Sequence, residues 1–359
     1  MTNAGPSRAS PLDIPAEDLQ RCHDQIGEAS WRALAGRRVF MTGGTGFVGK
    51  WLLATLLDAD EAFDLGCSIT VLSRDPSAFL RDWPAMAGRV DWVKGDVRDF
   101  PIGANCFDVI VHAATDVVAN ASPEDVFSTC LDGTRRVLSL AQKCGASQLL
   151  LVSSGAIYGP LPAGMTHVPE THLGGPDPLL PGSAYAEGKR VSEWLVARAG
   201  GTEGLGVHIA RLFAVVGPHL PLDRHFAVGN FLRAAMNGQD IDINGDGTPH
   251  RSYLYASDMA AWLWAVLLRG DNGRAYNVGS EESLSILALA HRVADTLNAH
   301  VNVRTARAAP ADQVPQHYVP QTRRASEELG LRAPLDLDEA LRRTANWHGH
   351  AATSGKTDS

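Results

Sequence analysis

The chain has 359 residues and a formal net charge of −8 at pH 7, with 45% hydrophobic and 20% charged residues. These values are typical of a soluble enzyme with a large core, and an acidic chain without long Lys/Arg runs is not expected to bind nucleic acid. The longest apolar run, residues 259–268, is too short for a membrane span, which needs about 18–20 apolar residues. We therefore expect a cytoplasmic protein without a membrane segment.

The cysteines are scattered and lack CxxC spacing, which predicts free thiols and no metal site. They are Cys22, Cys67, Cys106, Cys130 and Cys144.

The first 35 residues form an extension ahead of the main pattern. Residues 1–15 are rich in Pro and Ser and are expected to be mobile, whereas residues 16–34 could form a helix. The main part then alternates short apolar runs with longer amphipathic ones, as in residues 48–57 and in residues 122–143, where Ser122 is the expected N-cap. The apolar runs predict five strands, within residues 39–41, 69–72, 90–93, 109–111 and 149–152.

Buried strands that alternate with helices predict an α/β fold, a Rossmann-type doubly wound parallel sheet covered on both faces. We assign this NAD(P)-binding domain, with the catalytic residues, to residues 36–215. In residues 216–350 the alternation loosens, which favours a smaller C-terminal α/β lobe that mainly binds substrate and returns some strands to the sheet. Residues 351–359 are expected to form a disordered tail.

A glycine-rich turn follows the first predicted strand and opens a helix. Its glycines allow a tight turn and bring the backbone and the helix N-terminus close to a pyrophosphate. A lone glycine triplet is a weak signal, but here the strand, turn and helix are all present. We therefore expect a dinucleotide to contact Gly43, Thr45, Gly46, Phe47, Val48 and Gly49.

The end of the second strand bears on the choice of cofactor. An NAD site places an acid there for the ribose hydroxyls, whereas an arginine suits the 2′-phosphate of NADP. Ser73 stands at the position expected for the acid, Arg74 follows it, and Asp75 either points back or begins a turn. NADP(H) is favoured and NAD(H) stays possible.

The ends of the third and fourth strands complete the predicted cofactor site. Asp96, followed by Val97, could accept a hydrogen bond from the adenine amino group or simply cap a solvated turn. Small residues suit the place where a ribose or nicotinamide crosses the sheet edge. They are Ala113, Ala114 and Thr115.

Three further residues predict the catalytic group. Tyr185 and Lys189 are four residues apart and share one helical face. A phenol has a pKa of about 10, and a nearby ammonium is expected to lower it. Ser154, at the end of the fifth strand, could orient a substrate oxygen for proton exchange with Tyr185 while a nicotinamide exchanges hydride.

Through these motifs, residues 37–347 resemble the extended short-chain dehydrogenase/reductase superfamily in its nucleotide-sugar epimerase/dehydratase branch. Within that branch, they look most similar to the dTDP-4-dehydro-6-deoxyglucose reductases. The resemblance implies that Ser154 is catalytic and that Asn230 and Arg251 hold the diphosphate of a nucleotide-sugar substrate. It also implies a homodimer, for which residues 122–143 and 183–199 are candidate interface helices.

Departures from the branch narrow the expected reaction. The 4,6-dehydratases carry Thr-Asp-Glu where this chain has Ser154-Gly155-Ala156, UDP-glucuronate decarboxylases carry Glu at the position of Ala156, and GDP-fucose synthases carry Cys there. The remaining chemistry is oxidation or reduction at a sugar carbon. A 4-ketoreductase that uses NAD(P)H is favoured over an NAD-dependent 4-epimerase, and a non-catalytic dinucleotide sensor is disfavoured because all three catalytic residues are present.

Overall fold

The computed structural model of the chain describes residues 10–115, 121–201, 204–224, 226–309 and 314–354. The N-terminal extension forms two helices, α1 (Ala16–Ile26) and α2 (Glu28–Trp31), and ends in a single 3₁₀ turn. Gly27, with φ +79°, separates what we expected to be one helix. We expected residues 1–15 to be mobile, but Leu12 and Ile14 are buried in the core. Residues 1–9 lie outside the described part.

The next segment alternates strands and helices as predicted. Each expected strand is present: four extend the apolar run by one to three residues, and the third begins at Asp91 instead of Val90. Ser122 caps the long helix Pro123–Cys144 by accepting a hydrogen bond from the backbone N–H of Asp125. The elements are β1 (Arg38–Thr42), α3 (Phe47–Phe63), β2 (Ser68–Ser73), α4 (Pro76–Asp82), β3 (Asp91–Lys94), β4 (Val109–His112), α5 (Pro123–Cys144), β5 (Gln148–Ser154), α6 (Ala184–Ala199) and β6 (Gly206–Leu212).

The C-terminal part is built from short strands and helices. They are β7 (Val215–Val216), α7 (Ala227–Met236), β8 (Ile241–Ile243), β9 (His250–Arg251), β10 (Leu254–Tyr255), α8 (Ala256–Arg269), β11 (Ala275–Val278), β12 (Leu284–Ser285), α9 (Ile286–Thr296), β13 (Val303–Thr305), β14 (His317–Tyr318), α10 (Arg323–Leu329) and α11 (Leu337–Ser354). Because α11 continues to Ser354, the expected tail from residue 351 is helical at its start, and residues 355–359 lie outside the described part.

The central sheet has seven parallel strands in the order β11-β6-β5-β4-β1-β2-β3. Alternate residues face opposite sides, so that Val39 and Met41 enter one core with α3, while Phe40 enters another with α5 and α6. The chain order reverses between β1 and β4, the point at which open α/β sheets bind ligands beyond the carboxyl ends of their strands. The predicted α/β fold is confirmed.

Helix α8 is buried on every side because α1 covers the face that would otherwise meet solvent. Asp18 on α1 is itself buried, accepting hydrogen bonds from the Tyr255 hydroxyl at 2.7 Å and from Arg343 at 2.8 Å. The extension therefore connects the sheet domain to the last helix of the C-terminal lobe. No helix in the described ranges has the length and hydropathy needed to cross a membrane.

Asp258 is a fully buried carboxyl at the contact of α8 with α1. Its Oδ1 accepts a hydrogen bond from Gln25 and lies 3.7 Å from the guanidinium of Arg21. No hydrogen bond reaches its Oδ2 from the part of the chain that the structure describes. Burial raises the pKa of Asp258 from 3.8 to about 6, since the charged form is poorly solvated there.

We predict that Asp258→Asn stabilises the protein near neutral pH. A raised pKa in the folded state gives a contribution to stability that is complete below pH 3.8 and is lost as the pH rises through about 6. The neutral amide avoids that loss, so the variant should gain about 1–3 kcal/mol at neutral pH and almost nothing at about pH 4. Urea unfolding at both pH values measures the difference, with exposed Asp242→Asn as the matched control. An equal gain at the two pH values would contradict the prediction.

Candidate active site

A cavity of about 840 Å³ lies at the carboxyl edge of the sheet, between the sheet and the C-terminal lobe. Residues at or just after the ends of six parallel strands, β1 to β6, line it. Predicted site residues from distant parts of the chain are therefore brought together, because parallel strands end at the same edge.

The glycine turn after β1 forms one wall of the cavity. At Gly43, with φ +76°, an added Cβ would lie 2.7 Å from the backbone of Ala113 and Ala114, and at Gly49 it would overlap the carbonyl oxygen of Gly43. Gly46 is the exposed N-cap of α3, so the free N–H groups of that helix face the cavity. A backbone cradle of this kind at a helix N-terminus fits a dinucleotide pyrophosphate. All six residues predicted for this contact line the cavity: Gly43, Thr45, Gly46, Phe47, Val48 and Gly49.

The ends of β2 and β3 form the neighbouring wall, which Ser73, Arg74, Asp96 and Val97 line. Asp75 does not point back, because its Oδ1 accepts a hydrogen bond from Ala78 at 2.9 Å and caps α4. Arg74 is therefore the charged side chain that β2 contributes to the cavity.

Asp96 is engaged within the protein as well as lining the cavity. Its carboxylate accepts hydrogen bonds from the Arg98 guanidinium at 2.8 and 3.0 Å, and these bonds hold the pKa of Asp96 below its usual range. Asp96 therefore stays ionised and keeps lone pairs for an amino group. Asp96 also caps the turn that follows β3, as the second expectation had it, because its carboxylate accepts a hydrogen bond from the Arg98 backbone N–H at 2.9 Å.

The end of β4 places Ala113, Ala114 and Thr115 in the cavity wall. His112, just before them, is buried beneath the cavity with its ring nitrogens 2.9 Å from Thr42 Oγ1 and 3.2 Å from Thr134 Oγ1. Burial lowers the pKa of His112 to about 3, with a smaller effect from the Lys189 charge. His112 is thus a neutral structural histidine.

Ser154, Tyr185 and Lys189 meet on the floor of the cavity. Ser154 Oγ accepts a hydrogen bond from the Ala156 N–H at 3.1 Å, and the Tyr185 hydroxyl lies beside it. The Lys189 ammonium donates to the Val152 carbonyl at 2.7 Å and lies 6.0 Å from the centroid of the Tyr185 ring. The serine and the tyrosine can therefore contact one substrate oxygen together.

We expected Lys189 to lower the pKa of Tyr185, but the pKa is raised. Burial raises the pKa of Tyr185 above its ordinary value, and the hydrogen bond with Ser154 opposes this only in part. Burial also lowers the pKa of Lys189, whose ammonium is turned to the Val152 carbonyl. Tyr185 is consequently protonated at neutral pH.

Negative charge is kept away from this floor. Glu193 lies behind it, where it accepts hydrogen bonds from the buried Ser153 hydroxyl at 2.6 Å and from Arg211 at 2.8 Å. Within the described ranges, Asp96 at the opposite end is the sole Asp or Glu that lines the cavity. At Gly155 an added Cβ would lie 2.5 Å from the buried Phe213 ring, and Ala156 offers only a methyl group. The floor therefore offers hydroxyl groups and an ammonium, but no carboxylate.

The residues predicted to hold substrate diphosphate separate in the structure. Arg251 lines the cavity from the C-terminal lobe, whereas Asn230 on α7 is absent from the described lining and donates its side-chain amide to the Arg224 carbonyl at 2.9 Å. The geometry thus gives Asn230 a supporting place behind the loop that carries Arg224, not the expected direct contact. Arg224, Tyr253 and Tyr318 line the cavity and were missed. Tyr253 and Tyr318 stand in runs that resemble the branch, Arg251-Ser252-Tyr253 and Tyr318-Val319-Pro320, whereas Arg224 offered no sequence signal.

Comparisons with known proteins relate this site to a large group of enzymes. A profile of the NAD dependent epimerase/dehydratase family matches residues 39–279. UDP-glucuronic acid decarboxylase 6 of Arabidopsis thaliana is 30% identical over 309 residues, which cover 85% of this chain and 86% of the relative. The residues that the family profile matches include the glycine turn, Ser154, Tyr185 and Lys189.

Solved structures show the same architecture. The dTDP-glucose 4,6-dehydratase of Streptomyces venezuelae is 26% identical with a TM-score of 0.73, and the match covers 88% of this chain and 98% of that one. The UDP-glucose 4-epimerase of Thermotoga maritima is 20% identical with a TM-score of 0.72, with coverage of 88% and 99%. The latter likeness is one of fold alone.

We predict that Gly43→Ala abolishes dinucleotide binding. The new methyl group would collide with the backbone between Ala113 and Ala114 and would push the turn into the cavity. Gly273→Ala is the matched control, because Gly273 also has positive φ, +75°, but has open space around its Cβ position. The control should lose about 1–2 kcal/mol of stability and keep its affinity. Fluorescence titration with NADPH, together with thermal unfolding, separates the two effects. Equal affinity in both variants would show that the turn does not hold the dinucleotide.

Proposed function

Because the chain belongs to the NAD dependent epimerase/dehydratase family, as its motifs predicted, we propose that it is an NADPH-dependent 4-ketoreductase of a nucleotide-activated 4-keto-6-deoxy sugar. One observation carries this proposal: Ser154, Tyr185 and Lys189 share a cavity floor that no carboxylate lines among the described residues. Such a floor suits proton donation to a carbonyl oxygen.

The roles of the residues follow from their chemistry. A bound nicotinamide dinucleotide supplies the hydride that reduces the carbonyl carbon. Tyr185 donates its proton to the carbonyl oxygen, and Ser154 orients that oxygen through its own hydroxyl. Lys189 holds the end of β5 beside Tyr185 through its hydrogen bond to the Val152 carbonyl. The phenolate left on Tyr185 regains a proton from solvent. Tyr185 begins this step protonated, because burial keeps its pKa above neutral pH.

The similarity to decarboxylases does not by itself argue for decarboxylation here. The resemblance assigns that reaction a glutamate where this chain has Ala156, and assigns elimination an acid and a base where it has Gly155 and Ala156. Phe213 fills the space that a side chain at Gly155 would need. The packing of the floor therefore favours redox chemistry at the sugar carbon.

A 4-epimerase is the second candidate, favoured by the fold-level likeness to 4-epimerases. It would oxidise and re-reduce C4 with a retained NAD, so its activity needs no added cofactor. A reductase consumes one NADPH for each sugar reduced. The two functions are therefore distinguished by cofactor stoichiometry.

The nucleotide-sugar end of the site is assigned to Arg251 and Arg224. Both residues line the cavity from the C-terminal lobe, and guanidinium forks suit phosphate oxygens. A homodimer through α5 and α6 also belongs to the proposal. These helices pack along each other, and Trp194 of α6 is 59% exposed.

The proposed activity is tested with dTDP-, UDP-, GDP- and CDP-linked 4-keto-6-deoxy sugars. Wild-type protein should oxidise NADPH, followed at 340 nm, in a one-to-one ratio with the alcohol product, followed by mass spectrometry. Tyr185→Phe should lower kcat by about 100- to 10,000-fold, because the proton donor is lost. Its affinity for NADPH should stay near that of the wild type.

Two results would argue against the reductase. Turnover with no added cofactor would favour the epimerase, and near-wild-type turnover by Tyr185→Phe would remove the proton donor from the scheme. Tyr276→Phe is the matched control for that variant. Tyr276 also has a hydrogen-bonded phenol, 3.0 Å from Glu328, but it lies outside the described cavity lining.

The preference for NADP depends on Arg74 at the end of β2. Arg74→Asp should shift the NADP/NAD ratio of kcat/KM towards NAD by about 10- to 100-fold, since a carboxylate repels the 2′-phosphate and accepts hydrogen bonds from ribose hydroxyls. Arg81→Asp, an exposed change of equal charge on α4, is the matched control and should leave the ratio unchanged. A ratio that is the same in both variants would show that Arg74 does not read the phosphate.

A further inference from the structure

We propose that Tyr318 is a second phenol of the reaction centre, which binds the reacting sugar oxygen together with Ser154. The inference rests on the proposed reduction and deepens it by naming the group that completes the cavity floor. Tyr318 stands on β14 in the C-terminal lobe, 164 residues after Ser154.

The position of the Tyr318 hydroxyl carries the proposal. It lies 3.4 Å from Ser154 Oγ and 3.5 Å from the Leu212 carbonyl oxygen, and the residue lines the cavity. The Tyr185 hydroxyl also lies beside Ser154, so the serine hydroxyl has two phenols as neighbours. The two contacts of the Tyr318 hydroxyl are long for hydrogen bonds between oxygens. A substrate oxygen that enters the cavity can therefore compete for its proton.

Two neighbours hold the Tyr318 ring in place. The Phe213 ring packs on it at 4.7 Å between centroids, and the Arg251 guanidinium lies 5.4 Å from its centroid. Strand β14 pairs with β9, which sets Tyr318 opposite Arg251 in the ladder. The phenol and the predicted phosphate-binding arginine thus approach the substrate from one rigid pair of strands.

The space for this arrangement comes from Gly155. Phe213 lies where a side chain at Gly155 would be, and the same ring supports Tyr318. Gly155 at the end of β5, the Phe213 ring and Tyr318 on β14 therefore pack together as one unit. This unit places a neutral donor beside Ser154 at the point where no carboxylate is available.

Tyr318 acts as a donor and not as a base. Burial raises its pKa, so the hydroxyl keeps its proton at neutral pH. As hydride reaches the carbonyl carbon, a C–H bond forms and the C=O π electrons move to oxygen, which takes the proton of Tyr185. Negative charge develops on that oxygen before the proton arrives, and a fixed donor such as Tyr318 stabilises it.

The test compares Tyr318→Phe with wild type and with Tyr276→Phe, using NADPH and dTDP-4-keto-6-deoxyglucose or whichever keto sugar of the screen the wild type reduces. Phenylalanine keeps the ring that Phe213 and Arg251 contact and removes only the hydroxyl. We expect kcat to fall by about 10- to 100-fold. The primary isotope effect from 4-deuterated NADPH should increase, while calorimetric affinities for NADPH and dTDP stay within about 3-fold, because one donor to the reacting oxygen is lost and the phosphate contacts are kept.

Each outcome decides between roles. An unchanged kcat, or a rise in KM alone together with weaker dTDP binding, would overturn the proposal and leave Tyr318 as a support for Arg251. A matching loss in Tyr276→Phe would do the same, because that phenol lies outside the described lining. If the wild type reduces no keto sugar with NADPH, the proposed function itself fails, and this inference fails with it.

Discussion

The close approach of the β1–α3 turn to the end of β4 is the constraint on which the cavity depends. Backbone meets backbone there, with no room for a Cβ at Gly43 or Gly49. This contact brings the N-terminus of α3 over the edge of the sheet at the reversal in strand order. Every other wall of the cavity is placed relative to it, since β2 to β6 all end at the same edge.

The second half of the site depends on packing between distant parts of the chain. The N-terminal extension covers α8 and links through Asp18 to Tyr255 and Arg343. His219 adds a link to the extension by its hydrogen-bonding contact with the Leu12 carbonyl oxygen at 2.6 Å. These contacts join the C-terminal lobe to the sheet domain, so the lobe can present Arg251 and Tyr318 at a fixed distance from Ser154.

Local sequence patterns predict the sheet-side half of the site well. Glycine spacing, strand ends and the Tyr185–Lys189 spacing are properties of short segments, and the structure brings these residues to one cavity. The lobe-side half depends on tertiary packing that no short segment encodes. Arg224 carries no local signal, and the amide of Asn230 turns to the loop that carries Arg224. The composition of residues 10–15 predicts a mobile segment, yet Leu12 and Ile14 are buried in the hydrophobic core.

The pKa of Tyr185 shows why residue types alone do not define chemistry. The spacing to Lys189 predicted a lowered pKa, but burial outweighs the distant ammonium and raises it. Burial likewise disfavours the charged form of Lys189, and therefore lowers its pKa. A floor built from a protonated phenol, a serine and a second phenol offers hydrogen-bond donors to a substrate oxygen. Reduction of a carbonyl needs a donor at the start, whereas oxidation of an alcohol needs a base. Ser154, Tyr185 and Lys189 could serve either direction, so the cofactor that is consumed distinguishes the proposed reduction from oxidation.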